Sequence, residues 1–160
     1  MTKRLIHAAV MALFSLVGAG VASADGMPQH LPASDLVIVT SAGERHAFRV
    51  RVASELADRR RGLMFVDVLA DDEGMLFDNE VTAYASMWMK NTPLSLDMLF
   101  IREDGTISSI VPETTPFSRK TIVSREPVRS VLELRGGTTV RLGIEDGDFV
   151  VHPLFEQPTE

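Results

Sequence analysis

Leu36 to Thr40 is a β-branched apolar run followed by the turn residues Ser41-Ala42-Gly43. Beyond the turn, His46, Phe48, Val50 and Val52 alternate with Ala47, Arg49, Arg51 and Ala53, the period of two that a half-buried strand requires. The two runs predict a β-hairpin. The period then changes. Ser54 stands where a helix cap belongs, Glu55 to Arg61 has an acid in its first turn and three arginines in its last, and Gly62 follows as a stop. This predicts a short helix, and Arg59-Arg60-Arg61 are read first as the cations that complement its dipole rather than as an anion-binding patch.

Further on, Met75-Leu76-Phe77 leaves the acidic turn Asp71-Asp72-Glu73-Gly74 as a short strand, and Tyr84 to Lys90 predicts another. Leu96 to Arg102 is apolar on both parities except at Asp97, which predicts a strand covered on both faces. Asp104-Gly105 suits a two-residue hairpin turn into Thr106 to Val111. Pro112 to Ser124 reads as a polar loop, and Val128 to Leu134 and Phe149 to His152 complete the strands. Thr138 to Leu142 fits a strand by its alternation and a one-turn helix by its flanking Gly137 and Gly143. Many short strands with one or two short helices predict an all-β fold, a compact barrel or jelly-roll-like sandwich in a single domain.

The amino terminus follows a different logic. Lys3 and Arg4 precede an apolar stretch from Ala8 to Ala22, and Ala22-Ser23-Ala24 is a small-x-small cleavage pattern. Residues 1–24 therefore read as a cleaved signal peptide. The stretch is shorter than the roughly 20 residues of a membrane span and is broken by Gly18 and Gly20, and no cysteine exists to carry a lipid. The expected product is soluble, exported to the periplasm or secreted, and without a membrane anchor. Residues 25–34, with Pro28 and Pro32 and no apolar face, read as a flexible leader; 35–156 is the domain and 157–160 a tail. Cleavage would remove two of the 16 basic residues and none of the 22 acidic ones, leaving a net charge of −8. That balance disfavours nucleic acid and anionic lipid as partners.

Six blocks, Arg61-Gly62-Leu63-Met64, Gly74-Met75-Leu76-Phe77, Trp88-Met89-Lys90-Asn91-Thr92, Leu96-Asp97-Met98-Leu99-Phe100-Ile101, Val131-Leu132-Glu133-Leu134 and Gly147-Asp148, resemble in order and spacing the family catalogued as domain of unknown function 192. The resemblance covers about Val50 to Val151. It implies a compact β-rich domain, often exported, with a helical turn at Thr138 to Leu142, and it supplies no assigned reaction.

Candidate chemistry concentrates between Trp88 and Asp97. Lys90 is one of two lysines outside the signal, and Asp97 and Glu133 are lone carboxylates inside apolar runs. A buried charge without a partner costs several kcal/mol, so Asp97 needs Lys90, Asn91 or a backbone amide beside it. Trp88, Lys90, Asn91, Asp97 and Glu133 are therefore the candidate ligand-binding residues: the ring stacks on a ligand face while the others fix polar groups. The competing structural reading makes the same residues a buried network that sets strand register. A catalytic version, a hydrolase or lyase using Lys90, Asp97 and Glu133, would add a nucleophile such as Thr92, Ser95 or Ser124.

Serine-triad, zincin and nucleotide-binding motifs are missing from the sequence, and without cysteine there is no thiolate site. Met64, Met75, Met87, Met89 and Met98 with His30, His46 and His152 invite a soft-metal reading, but methionines spaced along apolar strands are first of all core. No metal and no cofactor are expected. The sequence thus points to an exported binding module for a small ligand or an envelope protein, with catalysis left open.

Overall fold

The computed structural model describes residues 26–155, so the stretch 1–24 read as a signal peptide and the stretch 157–160 read as a tail lie outside the described residues. β1 (Ala33–Val39) and β2 (Arg45–Ala53) form the expected hairpin, paired antiparallel from Ala33↔Arg51 to Val39↔Arg45. α1 (Leu56–Arg61) follows. Its capping position is Glu55 rather than Ser54, and no side chain bonds the free amides there; Gly62, at φ 50°, ends the helix. The helix buries none of its own residues. What α1 does is carry the chain across to β3 (Glu73–Ala83), which lies parallel to β2. This parallel crossover in an otherwise antiparallel sheet has no signature in the hydrophobic pattern.

β5 (Leu96–Ile101), β6 (Ile107–Val111), β8 (Val128–Arg135) and β9 (Phe149–Val151) complete a seven-stranded sheet of order β6-β5-β8-β3-β2-β1-β9. The sheet curls into a half-barrel whose edges meet at one corner. There Thr106 bridges Phe149, the Ile107 amide donates to the Asp148 carbonyl at 2.8 Å, and the Val150 amide donates to the Gly105 carbonyl at 2.8 Å. Gly105 is required at this corner: at φ +88° a Cβ would sit 2.7 Å from the Val150 carbonyl oxygen. The turn before it is not the expected two-residue one. Arg102 and Thr106 close around Glu103-Asp104-Gly105, with a register shift between Phe100 and Ile101, the usual form of a three-residue hairpin.

Along the central strands the two parities feed two cores. Leu76, Leu99 and Leu132 join Leu36, Ile38, Phe48 and Val50 on the concave face. Met75, Phe77, Met98, Phe100 and Val131 face the other way and are covered by Leu63, Val66, Leu69 and Met89 from the connecting segments. All six residues of β5 are buried, as its two-sided apolar pattern requires.

Two expectations are corrected and one open alternative is decided. The segment read as a flexible leader is docked: Met27 and Leu31 are buried in the outer core, and the Val52 amide donates to the Pro32 carbonyl at 2.9 Å. From Tyr84 to Lys90 only β4 (Ser86–Met87) pairs, with β7 (Ile122–Val123), because the chain turns at Met89 to Thr92 instead of extending. Between Gly137 at φ 84° and Gly143 at φ 63°, Thr138–Leu142 is the helix α2, as the family resemblance implies.

Candidate functional site

In antiparallel strands, residues directly opposite share a face, so register decides which candidates can meet. On β8, Glu133 stands opposite Met75 of β3 and Met98 of β5, while Leu134 stands opposite Gly74 and Asp97. Asp97 and Glu133 therefore lie on opposite faces of the sheet. The single polar cluster expected from the sequence is not assembled.

Asp97 is fully buried on the face opposite Glu133, and its partners are three amides and a hydroxyl, not Lys90. Oδ1 accepts the Glu113 and Gly137 amides at 2.8 and 3.0 Å; Oδ2 accepts the Thr139 amide and hydroxyl, each at 2.8 Å. The carboxylate thus nails α2 and the 113 loop to β5, a structural task. Asp148 does the same at the barrel corner, accepting the Ser41 and Glu145 amides at 2.8 Å each.

Trp88, Lys90 and Glu133 line one cleft of about 340 Å³ on the outer face, a volume at the lower end of small-molecule sites. Asn91 does not join them; with φ 57° it lines a separate hollow beside Phe65, Asp67, Pro93 and Phe117. The cleft's floor is apolar, from Leu63, Met64, Phe77, Ala85 and Met87, with Glu133 set into it. One wall is the end of α1. The other arises because β3 takes five steps, from Asp78 to Ala83, where β8 takes two, from Ser130 to Val128. Residues 79–82, set against Arg129 alone, form a bulge within β3. The Asp78 carboxylate holds that bulge by accepting the Glu80 amide at 2.7 Å and an Arg129 guanidinium hydrogen.

The cations divide by role. Arg59 donates to the Ser54 carbonyl, to the Asp78 carbonyl at 2.9 Å and to Glu80 Oε1 at 3.3 Å, tying helix to bulge. Arg60 and Arg61 are exposed at the cleft rim and have no carboxylate partner among the described residues. Lys90 is half-buried, its Nζ 5.7 Å from the centroid of the Trp88 ring, and it too has no carboxylate partner among them. Trp88 and Tyr84 stand on the rim, 50% and 64% exposed.

Glu133 is only 4% exposed, and its carboxyl has no hydrogen-bond partner among the described residues. Desolvation pushes its pKa up to about 8, which favours the protonated form. Three cations without a carboxylate partner among the described residues thus line the same cleft as one buried carboxyl. The sequence reading missed Arg60, Arg61 and Tyr84 as site residues. The arginine run was visible, but the crossover that brings it to the β4 segment was not.

The methionines behave as packing residues: Met75, Met89 and Met98 are buried in the outer core. His30 is engaged by Asp58 at 3.1 Å and His152 by Ser34 Oγ at 2.9 Å.

Comparison with known proteins places this geometry in a family. The DUF192 family, described as uncharacterized ACR, matches residues 37–152. The chain belongs to DUF192. Among solved structures it is similar to a protein from Sinorhizobium meliloti 1021, described as a candidate transcription regulator, at 45% identity and TM-score 0.75, covering 76% of this chain and 94% of that one. It is also similar to a protein of unknown function from Novosphingobium aromaticivorans DSM 12444, at 34% identity and TM-score 0.75, covering 79% and 91%. No curated protein matches the chain. Of the motif blocks that carry the DUF192 resemblance, residues 61–64, 88–92 and 131–134 each contribute side chains to the cleft.

Proposed function

We propose that this DUF192 domain is a binding module for a small anionic ligand with a flat or apolar body, seated in the cleft between α1 and the β3 bulge. The observation that carries the reading is the convergence of Arg60, Arg61 and Lys90, all without carboxylate partners among the described residues, on one apolar cleft in a chain with an excess of acid. Paired cations on an acidic protein need no explanation; unpaired ones gathered around a hollow have their counter-charge to find. Trp88 and Tyr84 offer the ligand flat contact. The hydrolase or lyase alternative loses its basis, since Asp97 faces away from Lys90 and Glu133 and all its bonds go to α2 and the 113 loop.

Benzoate is the simplest probe of this class and benzyl alcohol its neutral counterpart. Benzoate should raise the melting temperature of the wild-type protein, as any ligand of the folded state does, while benzyl alcohol should not. Arg60→Ala/Arg61→Ala should lose at least tenfold in benzoate affinity and keep the wild-type melting temperature without ligand. Equal shifts from both probes, or an unaffected double variant, would overturn the reading. The Sinorhizobium description makes duplex DNA a useful control, and the acid excess predicts no binding to it at physiological salt.

The signal pattern supports export to the cell envelope as the setting for this binding. Amino-terminal sequencing of the exported product should begin at Asp25; an intact Met1 in the membrane fraction would refute this part of the proposal.

A further inference from the structure

Glu133 is an anomaly that binding an anion does not by itself explain. A carboxyl in the floor of a cleft built to attract negative charge would be a liability if it were ionised. Its neighbours across the sheet, Met75 on β3 and Met98 on β5, are thioethers that give a carboxylate no compensation. The titratable and charged groups that face the cleft are Arg59, Arg60 and Arg61 from α1 and Tyr84 and Lys90 from the segment through β4; β3 contributes the neutral Asn79, and none of them bonds Glu133. With its proton, this side chain offers the cleft one O–H donor and one carbonyl acceptor, neither of which has a partner among the described residues. Arg60 and Arg61 are exposed at the rim and Lys90 is half-buried, whereas Glu133 is buried.

We infer that Glu133 is the specificity residue of the cleft: its carboxyl donates a hydrogen bond to an acceptor on the buried end of the ligand, whose opposite end carries the anion held by Arg60, Arg61 and Lys90. This rests on the anion-binding reading and narrows it to a flat carboxylate with a carbonyl-type acceptor at its far end, an acyl- or oxo-substituted acid. Leaving such a buried donor unmatched costs affinity, so the site should reject an acid of the same shape that lacks the acceptor. Loss of the Glu133 proton removes the donor and sets a negative charge against the acceptor, so the preference should vanish in alkali.

Calorimetry on the mature chain with 4-acetylbenzoate and 4-isopropylbenzoate, which share a shape and a carboxylate but not the carbonyl, tests this. At pH 6.5 the acetyl compound should bind about tenfold tighter, equivalent to about 1.4 kcal/mol, and at pH 9 the two should bind alike. Glu133→Gln, whose amide donates at any pH, should keep the preference at both, and Glu133→Leu should abolish it at both. Equal binding at pH 6.5, or a pH-dependent preference that survives in Glu133→Gln, would overturn the inference while leaving the anion cleft standing. If neither compound binds the wild type, both the inference and the reading beneath it fall.

Discussion

Asp97→Asn should destabilise the protein by about 3–5 kcal/mol in urea melts, the loss associated with breaking a fully buried, charge-assisted set of bonds. The wild-type carboxylate accepts three amides and one hydroxyl. An asparagine offers one oxygen, and whichever way it turns, its NH₂ group confronts donors. α2 and the 113 loop then lose their common anchor to β5. Lys90→Met should cost under about 1 kcal/mol, because no buried charge is left behind, and the double variant should show simple additivity. A large coupling between the two positions would mean that they form an ion pair after all.

Glu133→Gln should change the pH dependence of stability, and the sign is fixed by the direction of the shift. Burial raises the Glu133 pKa from 4.5 to about 8 in the folded chain. Between those values the folded protein holds a proton that the unfolded chain has released, so stability falls as pH rises through the window and levels off above about 8. The full loss amounts to about 4–5 kcal/mol. Glu133→Gln removes it: variant and wild type should be close in stability below pH 4.5 and diverge as pH rises, with the variant the more stable at pH 9. The difference between the two proteins isolates this group from His152, whose pKa burial lowers and whose contribution runs the opposite way, with stability lost as pH falls through its titration. Parallel pH profiles would show that Glu133 is ionised and solvated in the folded state.

Much of the sheet is legible because its strands announce themselves. β2 alternates as far as Arg51, β5 is apolar on both parities except at Asp97, β8 carries an apolar run at Val131, Leu132 and Leu134, and each is a strand where those patterns put it. α2 is different. Five residues are too few for a period to form, and two left-handed glycines decide the matter. The parallel β2–β3 crossover escapes detection because α1 buries none of its residues and so carries no amphipathic stripe. The docked segment at Met27 and Leu31 escapes for a related reason, since two isolated apolar residues, each followed by a proline, have no period to read.

At the site, the lone polar residues in apolar runs were visible as anomalies, but their grouping was not. Whether Asp97 and Glu133 meet depends on the β5–β8 register, where a slip of one residue exchanges the faces. Nothing local to either strand reports that register. Arg60 and Arg61 likewise acquire a site only from the crossover and from the bulge at residues 79–82, both long-range features.

Trp88 is the only tryptophan in the chain and stands half-exposed on the cleft rim, so its fluorescence reports on this one place. Titration of the protein with benzoate at low salt should give a saturable change in that emission, weakened by added salt and lost in Arg60→Ala/Arg61→Ala. A linear, non-saturating quench, the same in wild type and variant, would contradict the assignment of this cleft as an anion-binding site.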